Sequence, residues 1–296
     1  LKEEVRQLQH ELAQLNPIPQ VACANVAMTA AIRQQQLQVA GAQSAFSPLL
    51  EPHPLYSRIY LNKNWDDRSK TLVGLREQKF KTALQYVKAR SQMATSQLSD
   101  ERFENANGDV CCVIFQTIHL EGVNSLQQAY NALLFSINSA EISISERLGH
   151  LTVRDDYEDP EGNISNGRLV STNDDGISTE MNCIMMTQLF DSSDGICGES
   201  CGIVVIDSVD EDDLYPYLPS ERVRKDVSAA FVLTPEKSKN GEKELGVTLR
   251  RAAFVKIHRP KFELSEASWQ VLQQDAAVWG EVVVRSIRSL VYAGPL

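Results

Sequence analysis

Two charged residues stand where strand alternation expects an apolar side chain. Over residues 245–257, Leu245, Val247, Leu249, Ala253, Val255 and Ile257 recur at every second position, and Arg251 shares their phase. A guanidinium therefore lies on the apolar face of a strand unless a bulge turns it out. Asp207 has the same relation to Ile203, Val205 and Val209. A buried guanidinium needs a partner, because an unpaired buried charge costs several kcal/mol. Arg251 with Asp207 is read as a polar pair with two roles open to it, orienting a ligand headgroup or joining strand ends. Glu180 and His119, each at the edge of a strand, are weaker candidates for the same pocket wall, and both are expected to face solvent.

Other chemistry-bearing patterns fail on spacing. Cys197 and Cys201 stand four apart with Cys183 upstream, but a structural zinc site takes four ligands and no second close Cys or His pair follows. The run Ser171-Thr172-Asn173-Asp174-Asp175-Gly176 imitates the middle of a calcium loop, yet it begins on Ser and its twelfth position is Asn182 instead of Glu. No Gly-x-Ser-x-Gly elbow, Walker loop or Gly-x-Gly-x-x-Gly run occurs. The expectation is a protein without catalytic residues, metal or cofactor.

The 296 residues, 43% hydrophobic and 23% charged, suffice for one large or two small domains of ordinary globular composition. The longest apolar runs, such as Ile203–Ile206 and Val282–Val284, fall far short of the roughly 20 residues that span a bilayer. No transmembrane segment is expected. The chain opens on Leu1-Lys2-Glu3-Glu4 with no signal-like apolar core behind it, and is read as a fragment whose true start is missing. Six scattered cysteines lack the density of a disulfide scaffold and favour a reducing intracellular compartment, cytoplasmic or nuclear.

The net charge of −10 is unevenly placed, with 12 Lys+Arg against 8 Asp+Glu in residues 1–100 and 17 against 31 in the remainder. Between His150 and Tyr215 there are 16 acids and two cations, Arg154 and Arg168. Such a surface repels phosphate backbones, which argues against a nucleic-acid reader. The clusters Asp155-Asp156, Glu158-Asp159, Asp174-Asp175 and Glu211-Asp212-Asp213 are expected to be solvated loops between strands.

These candidates must be positioned by three segments. Leu1, Leu8 and Leu15 repeat every seven residues, with Val5 and Leu12 between them, an a/d seam over residues 1–15 that reads as the end of a leucine-zipper-like coil and a dimerisation surface, or as a single amphipathic helix. Residues 16–64, rich in Gln and Ala with prolines at 17, 19, 48, 52 and 54, read as a linker with one helical stretch. A domain follows over 65–296. It starts with a helix from Ser69 to about Leu98, capped by Asp66 or Asp67, whose seven cations from Arg68 to Arg90 are expected to point outward. A short helix is predicted over 126–137, and strands near 148–157, 167–172, 178–190, 201–209, 227–234 and 245–258. Turn clusters such as Asp174-Asp175-Gly176 link these strands closely, so the sheet is antiparallel. One long amphipathic helix over 265–292, with Trp269, Leu272, Ala276, Trp279, Val283, Ile287 and Leu290 as its stripe, closes the chain. The predicted class is α+β: a helix-grip, in which a curved antiparallel sheet closes around the terminal helix and leaves room for a cavity.

Three blocks carry a family resemblance: Glu146–Asp156; Val209 through Leu214-Tyr215-Pro216-Tyr217 to Asp226; and Arg250–Phe254 with His258-Arg259-Pro260. Behind an upstream zipper they resemble an expanded oomycete family with a START-like (lipid-transfer-related) domain. The resemblance implies a helix-grip with an internal apolar pocket for a lipid or other hydrophobic small molecule. It also implies a regulatory role, with homo- or heterodimers through the coil, and contact with nucleic acid only through a basic region upstream of Leu1. Alternative expectations are a lipid carrier touching membranes through the basic helix, an interaction scaffold with a filled pocket, and a pocket enzyme of unassigned reaction.

Overall fold

Apolar runs such as Ile203–Ile206 and Ala229–Leu233 leave no polar face for solvent, and the fold accordingly covers both faces of the strands that carry them. A computed structural model describes residues 52–123, 125–158, 163–194, 199–236 and 246–292, together with Glu3 and Gln7. The chain divides into two compact units between Ser47 and Pro48, and the architecture below is that of the second. The zipper positions Leu1, Val5, Leu8, Leu12 and Leu15 lie outside the described residues.

The elements run β1 (Tyr60–Leu61), α1 (Trp65–Met93), β2 (Leu98–Glu104), β3 (Val110–Glu121), α2 (Leu126–Asn138), α3 (Ala140–Leu148), β4 (Leu151–Glu158), β5 (Ile164–Thr172), β6 (Ser178–Phe190), β7 (Cys201–Ser208), β8 (Glu211–Asp212), β9 (Val223–Glu236), β10 (Gly246–Ile257), α4 (Glu266–Gln274) and α5 (Val278–Tyr292). Eight strands form one sheet in the order β2-β3-β10-β9-β7-β6-β5-β4, its neighbours antiparallel, while β1 and β8 pair in parallel beside it. Where β7 ends, Thr179 and Glu180 of β6 pair directly with Val223 and Arg224 of β9, which closes the sheet on itself there. The sheet curves around the C-terminal helices, and α2 and α3 pack against α5. This is an α+β helix-grip.

Alternation assigns the two faces. Val204, Phe231, Leu249 and Val255 point to the inner core, against Leu133 and Ile137 of α2 and Val283 and Ile287 of α5. Ile203, Val205, Val232 and Ala252 point the other way, to a second core closed by Phe80, Ala83 and Val87 of α1. Leu55, Ile59 and Leu61, within the stretch read as linker, are buried in that second core as well.

Local chemistry sets the boundaries. α1 starts four residues before the predicted Ser69 because Asn64 is its cap, its Oδ1 accepting from the Asp67 amide at 3.1 Å. Asp66 and Asp67, the expected caps, instead occupy the first turn, where the helix dipole favours acids. The outward basic face holds for Lys70, Lys81 and Lys88, which are exposed, but not for Arg68 and Lys79, which are buried against the sheet. The terminal helix is two helices joined by a 3₁₀ turn at Asp275–Ala277, and Ser265 caps the first by accepting from the Ser268 amide at 3.1 Å. Strand β2 and helix α3 were not foreseen. α3 ends on Gly149 at φ 74°, the left-handed stop that glycine tolerates. Among the described residues, no helix is long and apolar enough to cross a membrane.

Candidate functional site

Between the inner sheet face and α3, α5 and the 3₁₀ turn lies a cavity of about 120 Å³. One water needs roughly 10–15 Å³ on the same measure, so there is room for a compact ring system or a short alkyl chain. Its walls are apolar, with Ile144, Leu169, Met181, Phe231, Val255 and Val283 among them. Among the described residues three cations share these walls, Arg154, Lys225 and Arg251, and no Asp or Glu does.

The three differ in how they are satisfied. Arg154 Nη1 donates to Ile137 O at 2.9 Å, Asn138 O at 2.8 Å and Glu141 Oε2 at 2.9 Å, so it closes the C-terminus of α2 and holds α3 to it. Arg251, 1% exposed, donates from Nη2 to Glu281 Oε1 at 2.7 Å. Its Nε and Nη1 have no hydrogen-bond partner. The guanidinium fits against α5 because residue 280 is glycine: a Cβ there would stand 2.9 Å from Nη1. Lys225, 3% exposed, places its ammonium 4.1 Å from the Trp279 ring centroid, a cation–π contact. Among the described residues, no hydrogen bond or ion pair reaches that ammonium. Burial lowers its pKa to about 8, against the opposing pull of Cys112, Asp275 and Cys183. The Cys183 thiol, also in the wall, is pushed up to about 12 by burial and stays protonated at neutral pH.

Of the four pocket candidates, only Arg251 faces this cavity. Arg251 and Asp207 do not pair. The strand register aligns Arg251 with Phe231 of β9, and Phe231 with Val204 of β7, all on the inner face; Asp207 is an odd number of residues from Val204 and so points to the opposite one. There it is 0% exposed and pairs with Lys79 of α1. Its Oδ2 also accepts from the Ser57 amide at 2.9 Å and its Oδ1 from Ser228 Oγ at 2.5 Å. Burial pushes the Asp207 carboxyl above its usual range, against the pull of Lys79, Ser228 and Ser57. Glu180 is buried on the same outer face rather than solvent-facing, where Arg168 Nε donates to its Oε1 at 2.6 Å. His119 lies at a strand end with its side chain 45% exposed, 2.5 Å from Glu236 Oε1.

A second clamp beneath α1 escaped the sequence reading. Arg68 donates from Nη1 to Asp212 Oδ1 at 2.7 Å and from Nη2 to Asp212 Oδ2 at 3.0 Å, a bidentate pair. Asn166 Oδ1 accepts from Arg68 Nη2 at 2.7 Å, and Asn182 Nδ2 donates to Asp212 Oδ2 at 3.0 Å. Although burial works to raise it, these partners hold the Asp212 carboxyl below the usual range. Asp212 was assigned to a solvated acidic loop, and is buried because its neighbour strand β1 brings α1 over it.

The residues of the family resemblance also meet. His258 Nε2 lies 2.5 Å from Asp226 Oδ2, Arg224 Nε donates to Asp226 Oδ1 at 2.7 Å, and the Arg224 guanidinium lies 4.1 Å from the Tyr217 ring centroid. The Tyr217 hydroxyl donates to Val209 O at 2.8 Å. Tyr217, Arg224, Asp226 and His258 build a structural joint between β7, β9 and the end of β10, whereas Arg154, Lys225 and Arg251 of the same blocks line the cavity. Of the Cys197–Cys201 spacing, Cys201 is disulfide-bonded, and Cys197 lies outside the described residues.

No protein-family model matches the chain, and no curated protein matches it. Solved structures similar to it include the di-domain ARO/CYC BexL from the BE-7585A biosynthetic pathway, at 12% identity over 62% of this chain and 51% of that one, with a TM-score of 0.36. This chain thus spans about half the length of BexL. TTHA0849 from Thermus thermophilus is similar at 11% identity over 62% of this chain and 99% of that one, TM-score 0.37. Ara h 8.0201 is similar at 11% identity over 62% and 99%, TM-score 0.30. At this level the architecture rests on the strand order and terminal helices themselves, which are those of a START-like helix-grip.

Proposed function

We propose that the domain binds a hydrophobic small molecule or lipid in the inner cavity and serves as a regulatory module rather than an enzyme. The observation that carries this reading is the cavity itself: apolar walls between a rigid sheet and the terminal helices, with a few polar groups that could fix an orientation. Resemblance to the oomycete START-like proteins supports the same reading and adds the zipper: a coil over residues 1–15 dimerises the chain, and a basic region upstream would link ligand occupancy to DNA. Of the basic helix, Arg68 and Lys79 are committed to buried ion pairs, and the carrier alternative rests on the exposed Lys70, Lys81 and Lys88.

The test is native mass spectrometry of the whole chain purified from a eukaryotic host, followed by solvent extraction. A stoichiometric apolar molecule is the expected result. A mass equal to the bare chain, unchanged after incubation with a panel of lipids and small aromatic compounds, overturns the reading.

A further inference from the structure

The inner and outer faces treat buried charge differently. On the outer face every buried cation has a carboxylate: Arg68 has Asp212 and Lys79 has Asp207. On the inner face Arg251 reaches only Glu281, whose side chain is 40% exposed, and two of its nitrogens have no acceptor. Lys225 reaches no acceptor among the described residues, although it lines both this cavity and a smaller neighbour shared with His150, Thr179 and Asp275. An ammonium so placed lacks the hydrogen bonds it had in water, and only an aromatic face answers it. Among the described residues the larger cavity's wall holds no Asp or Glu, and Lys225 brings it a positive charge with no carboxylate in ion-pair reach, although the whole chain carries −10.

We propose that the cavity's ligand is an amphipathic anion, a compact hydrophobic body bearing a carboxylate or similar acidic group, whose charge pairs with the Lys225 ammonium while Arg251 adds to the field from the middle of β10. This rests on the ligand-binding reading above and specifies the class of ligand. The apolar walls take the body, and Trp279 forms the edge between the body and the charged end. Such a ligand supplies the charged acceptor that Lys225 lacks, whereas a neutral alcohol of the same shape supplies only an uncharged one. A charge-assisted hydrogen bond of this kind corresponds to a selectivity of roughly tenfold to hundredfold.

The experiment is isothermal titration of the full chain with 2-naphthoate and with its neutral counterpart 2-naphthalenemethanol, repeated on Lys225→Met, Lys225→Arg and Arg251→Gln. In the wild-type protein 2-naphthoate should bind at least tenfold tighter than the alcohol. Lys225→Met should abolish that preference, Lys225→Arg should preserve it, and Arg251→Gln should reduce it. Equal binding of both probes to the wild type, or a preference that survives Lys225→Met, overturns the anionic class and leaves the pocket standing. Binding of neither probe overturns the pocket as well.

Discussion

Replacing Asp207 by alanine separates a charge that holds the fold from one that meets a ligand. The carboxylate is fully buried on the outer face, paired with Lys79 and accepting from the Ser57 amide and the Ser228 hydroxyl. Its loss leaves the Lys79 ammonium with the Leu55 carbonyl at 3.0 Å as its remaining partner. Removing one member of a buried pair costs about 3–5 kcal/mol, because the other charge stays desolvated. Donors left behind at Ser57, Ser208 and Ser228 push the value toward the upper end. Against a total stability of roughly 5–15 kcal/mol this is a large fraction. Urea denaturation at pH 7, followed by tryptophan fluorescence and circular dichroism, should show Asp207→Ala strongly destabilised. The double variant Lys79→Met with Asp207→Ala should recover at least about 2 kcal/mol, since no lone charge remains buried. Well below its unfolding midpoint, Asp207→Ala should retain the ligand of the wild type in native mass spectrometry. A variant within about 1 kcal/mol of the wild type, or one fully folded yet empty, would refute the assignment of Asp207 to the structural face.

Three further outcomes are expected. Burial lowers the pKa of His53 to about 4, while in the unfolded chain it titrates near 6.5. The unfolded state therefore binds the extra proton first, and stability falls as pH drops from 6.5 toward 4, by up to about 3 kcal/mol; His53→Phe should flatten denaturation midpoints over that window. Lys225, lowered from 10.5 to about 8 by burial, makes the folded state the poorer proton binder between those values, so stability should rise as pH goes from 8 to 10.5. Lys225→Met should remove that rise and be more stable than the wild type at pH 7 by up to about 3 kcal/mol in the same titration series. Gly280→Ala should gain about 1 kcal/mol of helix propensity and lose a comparable amount by displacing the Arg251 guanidinium; thermal melts should move little, and calorimetry should show weakened 2-naphthoate binding.

The strands and the terminal helix were legible because each obeys one period: β6 was predicted over 178–190 and occupies Ser178–Phe190. The phase of Arg251 and of Asp207 within their own strands was legible too. Their pairing was not, because alternation gives the parity of a residue within one strand and not which face that parity selects in the sheet; the register of β7 against β9 decides this. Lys225 was missed for a related reason. It follows Arg222 and Arg224 in a stretch that reads as charged surface, and its inward phase with Val223, Val227 and Ala229 shows only once β9 is extended back to Val223. The burial of Asp212 depends on α1 crossing the sheet, a contact 144 residues apart in sequence that no local pattern announces.

Charge on the two faces also bears on which of them is functional. The outer face holds the larger number of buried ions, and a search for perturbed polar residues alone would choose it. Yet Arg68, Lys79, Asp207 and Asp212 have partners that are themselves buried, fixed by the sheet and by α1, and a well-satisfied network of that kind gives a ligand nothing to complete. The inner face holds fewer charges and leaves them wanting. Two unfilled nitrogens on Arg251 and the burial of the Lys225 ammonium are costs to the fold, and a substitution to methionine at residue 225 would relieve the second. Strain of this kind is concentrated where a protein must do something besides fold. The deficit, together with space beside it for a molecule to occupy, is why we propose the inner cavity as the site and an anion as its ligand.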